Sequence, residues 1–224
     1  MPPYEAVCFD LDSTLCVSTQ DSERLLRTAF ERANCEPFCT PTELRSLVPE
    51  LPTAETDREF HENLFGVAAE RNGADPTLAP RLADAYLGAW DPTAVRFREG
   101  AESALARARD RANGVALITN GGRETQTRKL DALGIADAFD VAVFTDPADG
   151  VLPKPNPAPF ERALGGLGAE PDATVHVGDS LYADIAGANA MGMDSVWLPA
   201  AEATAVDHEP TYELASLESF SSVV

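Results

Sequence analysis

Short apolar runs alternate with segments of helical period along much of this chain, and this alternation constrains the fold more than any other feature. The runs that have the length and composition of buried strands are residues 4–10, Val115–Thr119, Val141–Thr145, Thr174–Val177 and Ser195–Leu198. The helical patterns between them include Ala101–Arg111, Thr125–Leu133 and Pro159–Leu167. This order predicts an α/β fold, with a Rossmann-like parallel sheet core and helices on both faces.

One long segment breaks the alternation, because several helical patterns follow one another there without strands. They are Ser18–Ala33, a capping-box start at Thr40–Glu43, Thr53–Asn72 and a helix opened by Asp75-Pro76. We therefore expect two domains, an α/β core of residues 1–16 and 96–224 and an inserted helical bundle of residues 17–95. The tail, Tyr212–Phe220, favours a last edge strand and a short helix.

The charge of the chain excludes several classes of partner. It has 37 acidic and 17 basic residues, a net charge of −20, and so acidic a surface repels nucleic acid and anionic membranes. The same self-repulsion predicts a halophilic protein of an acidic proteome, because salt at about 1 M screens charges beyond about 3 Å. No apolar run reaches the roughly 18 residues that span a bilayer, and no secretory signal pattern is present, so we expect a cytoplasmic location.

The first predicted strand ends in two carboxylates, Asp10 and Asp12, in the segment Cys8–Thr14. In an extended chain positions i and i+2 point to the same side, so the two converge at the carboxyl end of the strand, where open α/β sheets bind ligands. Adjacent carboxylates repel unless one is protonated or a cation lies between them. The pair favours a metal site, an acid/base pair or both, and a simple loop start with Asp as a turn residue is the alternative.

Two further strands are followed by groups that suit a phosphate. The second strand runs into Thr119, Asn120 and two glycines ahead of a helix, whose first amides could face an anion. Lys154 lies in a stiff loop with four prolines, and the chain has one other lysine, Lys129, among fifteen arginines. A compact ammonium suits a phosphate oxygen. An ordinary strand–helix turn and a solvated loop lysine are the plainer interpretations.

A fourth strand ends in Gly178-Asp179-Ser180, and Asp184 follows five residues after Asp179. If Ser180 begins a helix, Asp179 and Asp184 can face one cleft, although Asp and Ser are also ordinary N-cap residues. The strand ends of a parallel sheet lie side by side, so all these groups would meet in one place. Several carboxylates with one lysine suit a divalent hard cation plus a phosphate.

Together these segments resemble the four motifs of the haloacid dehalogenase superfamily, in that superfamily's order and spacing. The matching segments are Asp10–Thr14, Ile118–Asn120, Lys154-Pro155 and Gly178–Asp184. The helical insertion resembles the cap of the phosphoglycolate-phosphatase-like branch, so the resemblance spans essentially the whole chain. Two positions depart from the common pattern, Ser13, where glycine is commonest, and Glu99-Gly100, where Pro-Gly is frequent.

The resemblance implies a Mg²⁺-dependent phosphatase, a phosphoric monoester hydrolase that acts on a small phosphorylated metabolite. Asp10 would be the nucleophile that forms an aspartyl-phosphate intermediate, and Asp12 would be the acid/base. Mg²⁺ would be held by Asp10, by the backbone carbonyl of Asp12 and by Asp179.

The resemblance also implies the groups around the phosphate. Thr119, Asn120 and Lys154 would bind its oxygens. Asp184 would act through a water molecule or orient Lys154. We expect no role for His61, on a polar helix face, or for His176, in a buried strand.

Several alternatives stay open. A phosphomutase on a sugar phosphate uses the same core and differs in the cap. A 2-haloacid dehalogenase is disfavoured, because it needs no second acid for an alcohol leaving group and this chain has Asp12. A non-catalytic phosphate-binding regulator is disfavoured because all four motifs are intact. We expect a monomer, with a dimer as the alternative, and the sequence does not specify the phosphorylated substrate.

Overall fold

The computed structural model describes residues 4–199 and 208–224, which form two compact units. One unit contains the described residues of 1–17 and 95–224, and the other is Ser18–Ala94. The predicted domain boundaries each lie one residue away from these limits. The assignment of the two units as hydrolase core and cap stays a prediction.

The first unit is built on a six-stranded sheet. The strands within residues 4–199 and 208–224 are β1 (Ala6–Phe9), β2 (Cys16–Ser18), β3 (Val95–Phe97), β4 (Gly114–Thr119), β5 (Val141–Phe144), β6 (Thr174–Gly178), β7 (Asp194–Trp197) and β8 (Tyr212–Glu213). The sheet has the order β5-β4-β1-β6-β7-β8, and all its neighbouring strands are parallel. The predicted parallel sheet is therefore confirmed. The short strands β2 and β3 form a separate two-stranded sheet that the sequence did not predict.

Eight α-helices accompany the strands in the described part of the chain. They are α1 (Ser22–Arg32), α2 (Pro41–Leu47), α3 (Asp57–Arg71), α4 (Ala79–Leu87), α5 (Ala101–Arg111), α6 (Arg123–Leu133), α7 (Pro157–Leu167) and α8 (Ala186–Ala190). The predicted capping box of α2 is present, with Thr40 and Glu43 bonded to each other's backbone. The first helix begins at Ser22, not at Ser18, because Asp21 accepts a hydrogen bond from Arg24 N and caps it there.

Helices cover both faces of the sheet, because successive strand side chains point to opposite sides. Val7 and Phe9 of β1 belong to an apolar cluster that includes Leu105 of α5. Cys8, between them, belongs to a second cluster with Phe160 of α7. The prediction of helices on both faces is confirmed.

The second unit packs α1 to α4 around an apolar core that includes Phe30, Phe65 and Leu82. It contains a cavity of about 210 Å³. His61 lines this cavity, and its ring lies 4.9 Å from the ring of Tyr86. The prediction of a polar face for His61 is wrong, because its spacing to the buried Phe65 places both on one face of α3. Among the described residues no helix is long and apolar enough to cross a bilayer.

Candidate active site

The register of the central strands brings the predicted site residues to one edge of the sheet. Phe9 of β1 is paired with Leu117 of β4 and with Val177 of β6. Asp10, the next residue, donates its backbone N–H to Val177 O at 2.9 Å. The first polar residues past β4 and β6 therefore lie beside Asp10, at the switch point of the sheet where α/β folds bind ligands.

Lys154 is the buried centre of this edge. Its ammonium donates to Asp10 Oδ1 at 2.8 Å, to Asp184 Oδ1 at 2.6 Å and to Ile118 O at 2.6 Å. Three acceptors match the three protons of an ammonium, so the charge is fully satisfied although the residue is 4% exposed. The Asn120 amide holds the Lys154 backbone, through bonds of 2.7 Å to its N–H and 3.1 Å to its carbonyl oxygen.

Asp184 accepts hydrogen bonds from three donors. Besides Lys154, it accepts from His176 Nε2 at 3.0 Å and from Ser180 N at 3.1 Å. Since a carboxylate accepts only, His176 Nε2 carries the proton. Gly178 is required here, because a Cβ at that position would lie 2.2 Å from Asp184 Cγ.

The donors at this edge fit a hard cation. Carboxylate oxygens of Asp10, Asp179 and Asp184 all lie within 4.8 Å of one another. Burial raises the pKa of Asp10 and that of Asp179, and the neighbouring carboxylates raise both further. A divalent cation with oxygen ligands would relieve that repulsion, so the donor set is of the kind that Mg²⁺ takes in proteins.

Lys154 and its two carboxylate partners shift one another's pKa values. Burial lowers the pKa of Lys154, but the charges of Asp10 and Asp184 outweigh it and the pKa is raised. Burial raises the pKa of Asp184, but Lys154 and His176 outweigh it and the pKa is lowered. Lys154 and Asp184 therefore stabilise each other's charged form, and the Lys154 ammonium lies against Asp10.

The Asp12 side chain bonds to residues outside this cluster. Its oxygens accept from Lys129 Nζ, at 2.7 Å each, and from Gln126 Nε2 at 2.8 Å. Gln126 Nε2 also donates to Thr119 Oγ1 at 2.7 Å, which links Asp12 to a predicted phosphate-binding residue. The predicted role of the Asp12 carbonyl oxygen in metal binding stays a prediction.

The structure thus gathers Asp10, Asp179, Asp184 and Lys154 in one cluster and Asp12 and Thr119 in a neighbouring one, while the Asn120 amide bonds to the Lys154 backbone. Sequence reasoning missed three residues that contact these groups, His176, Gln126 and Lys129. The scarcity of lysine that drew attention to Lys154 applies equally to Lys129 and could have identified it. His176 is fully buried in β6, as expected, but it contacts Asp184 and is not merely a core residue.

Comparisons with known proteins show which family the chain belongs to. A model of the haloacid dehalogenase-like hydrolase family matches residues 4–192. Phosphoserine phosphatase of Thermus thermophilus is 33% identical over 139 residues, 62% of this chain and 54% of that protein. Glyceraldehyde 3-phosphate phosphatase of Pyrococcus abyssi is 32% identical over 199 residues, 86% of this chain and 80% of that protein. The crystal structure of 2-haloacid dehalogenase from Pseudomonas syringae superposes with a TM-score of 0.63 at 28% identity, covering 98% of this chain and 97% of that one.

Proposed function

The chain belongs to the haloacid dehalogenase-like hydrolase family and is a phosphoric monoester hydrolase, and we propose that Asp10 is its nucleophile and Mg²⁺ its cofactor. The observation that carries the proposal is the position of Asp10. It is buried at the end of the central strand, 2.8 Å from a lysine and beside two further carboxylates. A carboxylate so placed can attack a phosphate whose charge is offset by Lys154 and by a cation that the carboxylates would hold.

The reaction has two steps. In the first, a carboxylate oxygen of Asp10 attacks phosphorus, the bond from phosphorus to the ester oxygen breaks, and Asp12 gives that oxygen a proton. In the second, water attacks the phosphorus of aspartyl-phosphate, Asp12 takes a proton from the water, and the bond from phosphorus to Asp10 breaks. The Thr119 hydroxyl binds a phosphoryl oxygen in both steps. Lys154, whose three protons go to Asp10, Asp184 and Ile118 O, offsets the charge of the phosphoryl group.

Asp10, Asp179 and the backbone carbonyl of Asp12 would hold Mg²⁺, which when bound offsets the repulsion between the nucleophile and the phosphate. Asp184 is left to orient Lys154, because its oxygens already accept from three donors. Since Mg²⁺ would bind the folded state, we expect it to raise the thermal unfolding midpoint. A smaller rise in Asp179→Asn would support the ligand assignment, and an equal rise would contradict it.

The substrate proposed is a small phosphate monoester. Two relatives are named for phosphoserine and glyceraldehyde 3-phosphate, both three-carbon compounds. A 2-haloacid dehalogenase is the second candidate, because a structure of that name is 28% identical. Asp12 favours the phosphatase, since halide departs without a proton and an alcohol does not.

One experiment tests the proposal. Purified protein is incubated with p-nitrophenyl phosphate and Mg²⁺, beside Asp10→Asn and the exposed control Asp137→Asn. We expect metal-dependent phosphate release, a loss of about 10³-fold or more in Asp10→Asn and little change in the control. Release that is independent of metal, or equal in Asp10→Asn, would overturn the mechanism. A panel of phosphorylated three-carbon compounds, sugar phosphates and a 2-haloacid then separates phosphatase, mutase and dehalogenase.

The net charge of −20 supports a further proposal, a monomer that works in a salt-rich cytoplasm. Unfolding midpoints should rise with potassium chloride, because screening removes self-repulsion. Midpoints that stay flat or fall with salt would count against it. Light scattering in the same buffers tests the monomer.

A further inference from the structure

Two polar residues of α6 are buried against Asp12. Gln126 and Lys129 are three positions apart on one helical face and are 1% and 7% exposed. Burying an amide and an ammonium is costly unless both are hydrogen-bonded. Here the Gln126 amino group and the Lys129 ammonium both donate to Asp12, while Gln126 Oε1 has no partner among the described residues. Asp12 is the predicted acid/base, and its own side chain is 49% exposed.

We propose that Gln126 and Lys129 are the positioning residues of Asp12, and that Gln126 also directs the Thr119 hydroxyl. The inference rests on the proposed function, because these positions matter for turnover only at a hydrolytic site. A half-exposed carboxylate without restraint would sample several rotamers. The donors from α6 engage both its oxygens, so the carboxylate keeps one orientation.

The Thr119 hydroxyl supports the second part of the proposal. A hydroxyl has two acceptor lone pairs and one proton. Thr119 Oγ1 accepts from Gln126 Nε2 at 2.7 Å and from Gly121 N at 3.4 Å. Its proton is therefore left to donate, and a phosphate oxygen is the acceptor that the site would supply.

The backbone beside β4 leaves room for this arrangement. A Cβ at Gly121 would lie 2.2 Å from Gln126 Nε2 and 2.5 Å from its Cδ. Any larger residue at position 121 would push the amide off Asp12 and Thr119. The loop after β4 is thus shaped around the Gln126 side chain.

A double-mutant comparison tests the proposal. Steady-state kinetics on p-nitrophenyl phosphate are measured for Lys129→Met in the natural chain and in the Asp12→Asn background. We expect kcat to fall at least about tenfold with KM within about twofold in the natural chain, and a further loss below about twofold in the background. An equal loss in both backgrounds would mean that Lys129 acts only through the fold, and would overturn the proposal.

Matched variants control for charge and folding. Arg128→Met removes an exposed positive charge from the residue just before Lys129 in α6, so the kcat of this variant should stay within about twofold of the natural chain. Lys129→Arg keeps a charged donor and should recover part of the loss, whereas an Arg variant as impaired as Lys129→Met would contradict positioning by charge-assisted hydrogen bonds. If Lys129→Met does not fold, Gln126→Leu takes its place in the same comparison.

The thermal unfolding midpoint separates this inference from the proposed function. If the contact exists, Lys129→Met and Asp12→Asn together lower the midpoint by less than the sum of the single shifts. If the natural protein does not hydrolyse p-nitrophenyl phosphate, both proposals are overturned, whatever coupling the unfolding midpoints show between Lys129 and Asp12. Hydrolysis that Asp10→Asn abolishes but Lys129→Met leaves unchanged would overturn only the positioning role.

Discussion

The two lysines of the chain each bind one carboxylate of the Asp10–Asp12 pair, but in different surroundings. The Lys154 side chain is 2% exposed, and its partners Asp10 and Asp184 are 9% and 2% exposed. Lys129 is nearly as buried, yet its partner Asp12 is 49% exposed. One ion pair therefore belongs to the interior and the other to its boundary with solvent.

This difference in exposure predicts that the two lysines contribute unequally to the stability of the fold. Removing one partner of a buried ion pair leaves an uncompensated charge and costs about 3–5 kcal/mol. Removing one partner of a solvent-exposed pair costs about 0–1 kcal/mol, because water screens the charge that remains. We expect the fold to depend on Lys154, and Lys129 to matter mainly through the position of Asp12.

Substitution of the lysines should give the largest change in the free energy of unfolding. We expect Lys154→Met to lower the free energy of unfolding by about 3 kcal/mol, because Asp10 and Asp184 lose their counter-charge. Lys129→Met should cost about 1 kcal/mol. Urea unfolding with a chelator present measures both, since a bound divalent cation would mask the loss. Equal costs for the two variants would remove the distinction between the pairs.

Gly178 and Gly121, which lie against Asp184 and Gln126, give a second and smaller contrast in stability. A Cβ at Gly178 would lie 2.2 Å from Asp184 Cγ, in a side chain held by three donors, whereas a Cβ at Gly121 meets the end of the Gln126 side chain. Gly178→Ala should therefore cost about 2 kcal/mol of overpacking. Gly121→Ala should cost under about 1 kcal/mol, because Gln126 can turn away, but should lower kcat as Gln126→Leu does.

Urea unfolding and steady-state kinetics of the two alanine variants check this contrast. If Gly121→Ala keeps full activity, Gln126 does not need its observed position. If Gly178→Ala is as stable as the natural chain, Asp184 is not as firmly held as its contacts indicate.

The sequence predicts the residues around Lys154 better than those around Lys129. Asp10 was predictable because it directly follows an apolar run, and such local patterns identify the strand ends of a parallel sheet. Lys154 was predictable as a scarce lysine in a proline-rich loop, and Asp184 from its spacing to Asp179, which follows another strand. Local patterns do not identify the partners of Asp12, because Gln126 and Lys129 lie inside a helix, 114 and 117 residues from Asp12, and only the scarcity of lysine distinguishes Lys129. In the sequence they have the pattern of a solvated helix face.

The short strands escaped prediction for a related reason. β2 and β3 have three residues each, too few for a periodic pattern, and they pair across the whole inserted unit. Their formation depends on contacts between distant parts of the chain, which local periodicity does not record. His176 was interpreted from its strand alone, although its ring nitrogen serves a carboxylate eight residues further on.

The smallest effect concerns the backbone beside Asp12. Ser13 has φ 63°, the left-handed region in which a residue with a Cβ is strained by about 1–2 kcal/mol. This explains why glycine suits the position. Ser13→Gly should relieve the strain but increase the entropy of the unfolded chain, leaving a net gain of about 0.5 kcal/mol.

Asn34, just after α1, has φ 48° and serves as the matched control, because asparagine tolerates this region better than serine. Asn34→Gly should gain less than Ser13→Gly in urea unfolding. The Ser13→Gly gain should persist in the Lys129→Met background, since backbone strain at Ser13 does not depend on the ion pair at Asp12. A gain that disappears in that background would mean that Lys129 holds the segment in its strained form. Stability and positioning would then be coupled at Asp12, and the contrast with the buried pair at Lys154 would narrow.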